Sequence, residues 1–387
     1  MGSANNNYEG LLKYFQNEPG CIVRAVCDVN KIALKDAQER VNQFNGNQDC
    51  LTFTDFRDVL ARPDIDAIVI GTSHNWHAVM TVLGCQHGKD VYVEKPISNT
   101  IIEARKMAQA AERYGRVVQC GTQARSSVRF QYVADVIQQG VLGKIKEIYI
   151  GCPGPPVECN LPAQPVPDYL GADGWDMWVG PCPWRPYNET LYNRCGSYIG
   201  YGGGGTTDWG QHFFDVAQWA IGMDHSGPTE IIPADGKDHE FLTYKYANGT
   251  EMFFHSKNGQ RLSTGTLFIG EHGKIDTVAW EDTISFDPKH LVNQYFDNAY
   301  VNRVNNSDNT GPLLGNHASN FLDCIRSRMK PNADVSIGCR SVTVAHLTNI
   351  ALFLNRPLKW DPVAERFIGD DEANRQLETV HRSPWTI

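Results

Sequence analysis

The chain has 387 residues, 41% of them hydrophobic and 20% charged, enough for two domains of ordinary size and typical of a globular protein. Its 35 basic and 44 acidic residues leave a net charge of −9, and no basic patch forms, which argues against nucleic acid or an anionic membrane as partner. No apolar run reaches the roughly 18 residues of a membrane span. No export signal heads the chain, so a cytoplasmic location is expected, an exported form with its signal removed being the alternative.

Residues 21–28 (CIVRAVCD) form a strand ending in Asp28, and Asn30 caps the helix that follows. A short strand at 51–53 leads through Thr54 to the helix DFRDVLA. Residues 66–71 (DAIVIG) make a strand buried on both faces, followed by a helix at 76–87, a strand at 90–93 (DVYV), an amphipathic helix at 100–114 and a strand at 117–120. Alternation of this kind, with near-continuous apolar strands, predicts a parallel doubly wound sheet over 1–124. Such sheets bind ligands beyond the carboxyl ends of their strands. The polar residues collect there: Asp28, the run from Thr72 through Asn75 to His77, Glu94-Lys95-Pro96 and Gln123.

After Arg125 the pattern changes, and residues 125–387 read as a second, α+β domain. A helix at 130–139 and a strand at 146–151 precede a long loop rich in Pro, Trp and Gly. Four glycines, Gly202–Gly205, lead into a helix at 208–221. Segments at 240–256 and 265–279 predict antiparallel strands, the first carrying the hairpin turn YANGTE. Helices at 317–328 and 337–354 close the domain. Eleven cysteines without C-x-x-C spacing predict buried free thiols in a reducing compartment, and no residue set has metal-ligand spacing.

The stretches VYVEKPIS, TSHNWHA, AVCDVN, WDMWVGPCPWRPYN, GGGGTTDWGQHFFDVAQWAIG and WDPVAERFIGDDEAN together resemble the glucose–fructose oxidoreductase/inositol dehydrogenase/MocA (Gfo/Idh/MocA) family, nearest its branch common in Bacteroidetes and Planctomycetes. The pairing of EKP at a strand end with a downstream D-x-x-x-H is its specific element. The resemblance implies a Rossmann domain, an open-faced sheet in the second domain, NAD(P) as cofactor, and sugars or cyclitols as substrates. It also implies homodimers or homotetramers packed through that sheet, and a catalytic trio of Lys95, Asp208 and His212.

The residues themselves fit that trio. Hydride removal from a secondary alcohol needs a base for the hydroxyl proton, and the cofactor carries the hydride. Asp208 and His212 lie four apart on one helix face, His212 suits the base, and Lys95 can polarise the reacting oxygen. The glycines are read as shaping the wall beside nicotinamide and substrate, with a flexible spacer as the alternative. Asp28 fits the acid that holds the adenosine ribose, which favours NAD over NADP because a 2′-phosphate would be repelled. Thr72, Asn75, His77, Glu94, Lys95 and Gln123 are expected along the cofactor cleft. Arg125, Trp178, Arg185, Tyr201, Asp208 and His212 are expected around a sugar, with core packing the competing reading for each aromatic.

One element is missing from the pattern. A Rossmann domain opens with a strand running into G-x-G-x-x-G, whereas this chain opens MGSANNNYEGLLKYFQNEPG, with a helix from about Tyr8 and no strand before it. Burying five apolar side chains at roughly 1.5–3 kcal/mol each equals the whole stability of a typical domain, so the slot is not expected to stand empty. A start beyond the true beginning is the leading expectation. A substitute segment or subunit, or a reduced cofactor site, are the alternatives, and NAD binding hangs on which holds. Three functions follow: an NAD-dependent sugar or cyclitol dehydrogenase, a glycosidase acting by transient C3 oxidation and elimination, and a sugar-binding protein without cofactor.

Overall fold

The computed structural model describes residues 7–254, 256–257, 260–261, 264–277, 284–289 and 313–387. Gly2 and the rest of the chain ahead of Asn7, together with positions 255 and 278–279 in the expected antiparallel strands, lie outside them.

The first 120 residues alternate as their apolar periodicity predicts. Strands Ala25–Cys27, Leu51–Phe53, Ala67–Ile70 and Asp90–Val93 are each followed by a helix, and Val118–Cys120 ends the series. Local chemistry sets the helix boundaries. Asn30 accepts the amides of Ile32 and Ala33, Asp55 that of Arg57, and Thr100 and Glu103 close a reciprocal capping box on helix Ile101–Tyr114. The strands do not make one sheet. Ala25–Cys27 pairs in parallel with Leu51–Phe53, and Ala67–Ile70, Asp90–Val93 and Val118–Cys120 form a separate parallel three-stranded sheet. The helix Asn7–Asn17 precedes the first pair, as expected from about Tyr8, and packs Leu11 and Phe15 against Tyr92, Val117 and Phe321.

The second half is built on a mixed sheet of nine strands among the described residues, with Ile145–Gly151 near its middle. That strand is antiparallel to Gly265–Gly270 on one side and parallel to Glu251–Phe254 on the other. The predicted hairpin is present, Leu242–Lys245 pairing antiparallel with Glu251–Phe254 around the Asn-Gly turn. Helices Gly210–Ala220 and Val335–Leu354 cover one face with Phe213, Phe214, Val344 and Leu347. On the other face Tyr149 and Phe253, both half-buried, stack with ring centroids 5.0 Å apart. Helix Val335–Leu354 is long and apolar enough to cross a membrane by composition, but it packs between Gly210–Ala220 and Ile101–Tyr114, and most of it is buried. All eleven cysteines are unpaired, and nine are buried.

Candidate active site

Lys95 leaves the carboxyl end of the fully buried strand Asp90–Val93, one residue after Glu94. Its Nζ donates to Oδ1 of Asp208 at 2.8 Å, across 113 residues of chain. The turn between them is fastened by Gln211, fully buried, whose Oε1 accepts the Ile97 amide at 3.1 Å while its amide reaches the Gly338 carbonyl. Gln211 therefore ties the lysine's turn to the helix that follows Asp208. Its signal in the sequence is only a polar residue on a buried helix face.

The expected single helix from Asp208 is two, Gly204–Asp208 and Gly210–Ala220, meeting at Trp209. Asp208 ends the first and His212 sits in the opening turn of the second. Trp209, between them, is 42% exposed, and Lys95 Nζ lies 5.5 Å from its ring centroid, a cation–π distance. His74 Nε2 stands 3.8 Å from the same Asp208 oxygen, and its Nδ1 is buried without a hydrogen-bond partner. Sequence reasoning named neither Trp209 nor His74 as a site residue, although both lie within motifs it singled out.

The glycine run is no flexible spacer, because it is tightly packed. A Cβ at Gly205 would stand 2.3 Å from Pro153 Cβ, and one at Gly202 2.4 Å from Gly196 Cα. Gly204 has φ +70 and presses on Pro155 and Pro156. Glycine is required here because backbone packs on backbone, which fixes where Asp208 begins its turn. Gly196 in turn lies against His74, where a Cβ would meet Cε1 at 2.5 Å.

Charge organises the same groups. Burial pushes the Asp208 carboxyl up, but Lys95 and His74 more than offset it and hold the group below its ordinary range. Burial and the Lys95 charge hold His212 well below the usual imidazole range, so the ring is neutral. Burial also raises Glu94, which accepts from Gln123 Nε2 at 3.0 Å and from the Lys95 amide at 3.2 Å.

The remaining expected cleft residues divide. Thr72 and Gln123 stay near the strand ends, with Gln123 bound to Glu94. Asn75 is 2% exposed and donates to the Trp178 and Val179 carbonyls, and the His77 ring lies 2.7 Å from the Pro96 carbonyl and 3.1 Å from that of Thr72. These two side chains brace the site's backbone. Asp28 is buried after Ala25–Cys27, and its Oδ1 accepts the Asn30 amide at 2.8 Å.

Among the expected sugar contacts, three are corrected, Arg125, Trp178 and Tyr201 being buried on partners of their own. Arg125 is 3% exposed and spends its guanidinium on Asp215 at 2.7 Å and Asp224 at 2.7 and 3.0 Å, leaving nothing for a substrate. Trp178 stacks on Trp175 at 4.7 Å in a buried aromatic cluster. Tyr201 is 1% exposed and donates its hydroxyl to the Pro183 carbonyl. Arg185 is bound to the Cys159 carbonyl. The three buried side chains organise the long loop or the core beneath it. Since removing one partner leaves an uncompensated buried charge, Arg125→Met is expected to cost about 3–5 kcal/mol in urea unfolding.

Parallel strands with a lysine at a carboxyl end, joined to an α/β domain that supplies the facing aspartate and histidine, define a two-domain dinucleotide-type oxidoreductase fold. Comparison with known families agrees. Residues 2–122 match the family described as "Oxidoreductase family, NAD-binding Rossmann fold", and residues 157–387 match "Oxidoreductase family, C-terminal alpha/beta domain". The chain belongs to the Gfo/Idh/MocA oxidoreductase family. Among solved structures, aldose-aldose oxidoreductase from Caulobacter crescentus aligns with TM-score 0.60 at 15% identity over 93% of this chain and 98% of that one. The WlbA dehydrogenase from Bordetella pertussis, in complex with NADH and UDP-GlcNAcA, aligns with TM-score 0.60 at 17% identity over 92% of this chain and 94% of that one. These likenesses speak for the fold. A "Glycosyl hydrolase family 109 protein" from Shewanella sp. (strain W3-18-1) is 27% identical over 137 residues, which span 35% of this chain and 30% of that protein.

Proposed function

We propose that this protein transfers a hydride between NAD and a secondary hydroxyl of a sugar, glycoside or cyclitol. The observation that carries the reading is the 2.8 Å pair between Lys95 Nζ and Asp208 Oδ1, formed where the parallel-sheet half meets the helix pair of the second half. Lys95 donates to the substrate oxygen and favours the negative charge that develops there. Asp208 holds the lysine in place and offsets the positive charge His212 gains on taking the hydroxyl proton. Neutral His212 is in the form that accepts. Trp209 offers an exposed aromatic face beside Lys95, suited to the C–H face of a pyranose or cyclitol ring.

The chain's residues fit a dinucleotide at both ends. Asp28 follows a strand end at the adenosine side, where its carboxyl disfavours a 2′-phosphate, and Glu94, Lys95 and Gln123 cluster at the nicotinamide side. When bound, NAD supplies the hydride acceptor. Titration with NAD+ and a panel of sugars and cyclitols, following NADH formation, tests the reading. Absence of any cofactor binding at millimolar concentration removes it. The half-buried Tyr149–Phe253 face supports assembly as a homodimer or homotetramer through the large sheet.

The named hydrolase relatives support a second outcome at the same residues, in which oxidation is transient and the sugar loses its aglycone. Release of nitrophenol from a nitrophenyl glycoside, dependent on NAD+ yet without net NADH, is the result that selects it. Net NADH without release selects the dehydrogenase.

A further inference from the structure

Lys95, Asp208, His212 and Trp209 share the chemistry proposed above, and the imidazole of His74 faces the same carboxylate without a task in it. Its Nε2 stands 3.8 Å from Asp208 Oδ1, the oxygen that Lys95 Nζ binds at 2.8 Å. That is about 1 Å too long for a hydrogen bond. The side chain is 17% exposed, and Nδ1, on the other edge of the ring, is buried without a partner. A buried ring nitrogen left unpaired beside a reacting group calls for a reason.

Packing holds the ring where it is. Its turn, His74–Trp76, is pinned by the two residues that follow, Asn75 donating to the Trp178 and Val179 carbonyls and Trp76 Nε1 to the Met177 carbonyl at 3.0 Å. A Cβ at Gly196 would stand 2.5 Å from His74 Cε1 and 2.9 Å from its Nδ1, and one at Gly202 would stand 2.4 Å from Gly196 Cα. Gly196 thus backs the Nδ1 edge, Gly202 backs Gly196, and the Nε2 edge is left toward Asp208. The other titratable groups around the pair are Lys95, His77 with its ring 5.9 Å away, Cys195, whose thiol accepts the His74 amide, and His212 and Glu94 beside Asp208. This confinement selects a protonation state. A proton on Nδ1 would be a buried donor without an acceptor, and an imidazolium would carry the same unmet donor. The neutral ring protonated on Nε2 avoids both and points its N–H at a carboxylate. Burial, the largest influence on the ring, also holds it below the usual imidazole range against the pull of Asp208.

We infer that His74 is a positioning residue, a reserve donor that closes on Asp208 as Lys95 is drawn to the substrate oxygen. The inference rests on the hydride-transfer reading for the event that draws Lys95 away, but the donor itself can be measured without turnover. Lys95 has a single charge to divide between Asp208 and the reacting oxygen, so its hold on Oδ1 slackens as negative charge grows on the substrate. Asp208 must stay ionised at that moment to offset the charge His212 gains. A closing of about 1 Å by the His74 N–H replaces the weakened bond, and no proton changes hands. His74 is then neither acid nor base in the reaction.

Two measurements on the full chain separate the donor from the reaction. In histidine-selective nitrogen NMR at about neutral pH, His74, assigned by its absence from His74→Gln, is expected as the neutral ring protonated on Nε2. Lys95→Met stands in for a lysine drawn away. In that variant the Nε2 proton is expected to exchange with solvent at least about tenfold more slowly, and adding Asp208→Ala should abolish the slowing. A proton on Nδ1, a charged ring, or exchange unmoved by Lys95→Met overturns the inference whether or not a sugar is turned over. In turnover, His74→Asn, whose amide reaches only the Nδ1 position, is expected to lower kcat roughly tenfold to a hundredfold with KM little changed. His74→Gln, whose amide reaches the Nε2 position, should recover most of that loss. The acid limb of kcat should move up by about one pH unit in His74→Asn, and that of kcat/KM should move far less. The first reports the complex, in which Lys95 is engaged, and the second the free protein. Equal losses in the two variants, or equal movement of both limbs, make His74 a packing or fixed electrostatic residue and overturn the reserve donor. If the unaltered chain reduces no NAD+ with any sugar or cyclitol, the hydride-transfer reading falls, while the spectra still decide for or against the donor.

Discussion

Lys95→Met is expected to lower kcat by roughly 10²–10⁴-fold while leaving the fold intact. Lys95 keeps only 15% of its side chain exposed, and its Nζ bonds Asp208 at 2.8 Å, so methionine fills the stem's space and deletes the charge. The same change removes the chief opposite charge that holds the Asp208 carboxyl down. The acidic limb of the pH–rate profile should therefore move to higher pH in Lys95→Met, a readout that a merely structural lysine would not shift. Asp208→Asn should lose a comparable factor, and the double variant should lose little more than either single one, because the two act as a unit. Full turnover in Lys95→Met, or strictly multiplicative losses, would remove the pair from the reaction. Thermal denaturation of each variant separates this from unfolding.

Much of this arrangement could be read from residue order because it rests on local rules. Strand–helix alternation follows from periodicity, the start of the helix Lys31–Asn45 follows from Asn30 as its cap, and the lysine's position follows from a buried strand ending at Val93, whereas the next helix is capped by Asp55 and not opened by Thr54. What was not legible depends on long-range contact. Arg125 follows a strand end just as a substrate arginine would, and only the fold brings Asp215 and Asp224 to it from 90 and 99 residues away. Trp178 and Tyr201 sit in a loop that looks exposed by composition, yet residues 171–179 form a helix whose tryptophans pack inward. The glycine run carries a composition shared by linkers and tight packing, and the deciding partners, Pro153, Pro155 and Gly196, are up to about 50 residues distant in the chain. The closing strands Leu358–Asp361 and Arg366–Phe367 join the large sheet through Glu230–Ile232, a pairing no local pattern announces. The division of the parallel strands into two sheets, where their alternation predicted one, was not legible, because each strand's periodicity is local and its partner is not.

Acid should destabilise the protein steeply well above the carboxylate range, and buried histidines are the reason. Burial holds His317 and His346 down to about 4. Both rings are almost fully enclosed, His317 between the Cys120 carbonyl at 2.9 Å and Ser126 Oγ at 2.7 Å, and His346 on the Ser98 carbonyl at 3.2 Å. In the unfolded chain each titrates near its ordinary value of roughly 6.5. Between these values the unfolded state carries a proton that the folded state does not, so stability falls as pH falls. The loss begins near the unfolded value and continues to the folded one, at about 1.4 kcal/mol per pH unit for each ring. Two rings give about 2–3 kcal/mol between about pH 6 and pH 5, a large part of a typical domain's stability. His77, held down to about 3 by burial, adds in the same direction, although carbonyls facing both its ring nitrogens oppose the push. His381, raised by its hydrogen bond to Glu103, works the other way, its contribution being present below the ordinary imidazole range and lost above it. Asp28 and Glu94, raised by burial, also act in the opposite sense, because their folded forms favour the proton. Urea unfolding across about pH 8 to 5 should show a plateau above about pH 7 and a decline below it. His317→Gln keeps polar atoms near Cys120 and Ser126 but cannot titrate, and it should flatten the slope by about 1.4 kcal/mol per pH unit. A slope unaltered by that substitution would show that the ring takes a proton as readily inside the fold as outside it.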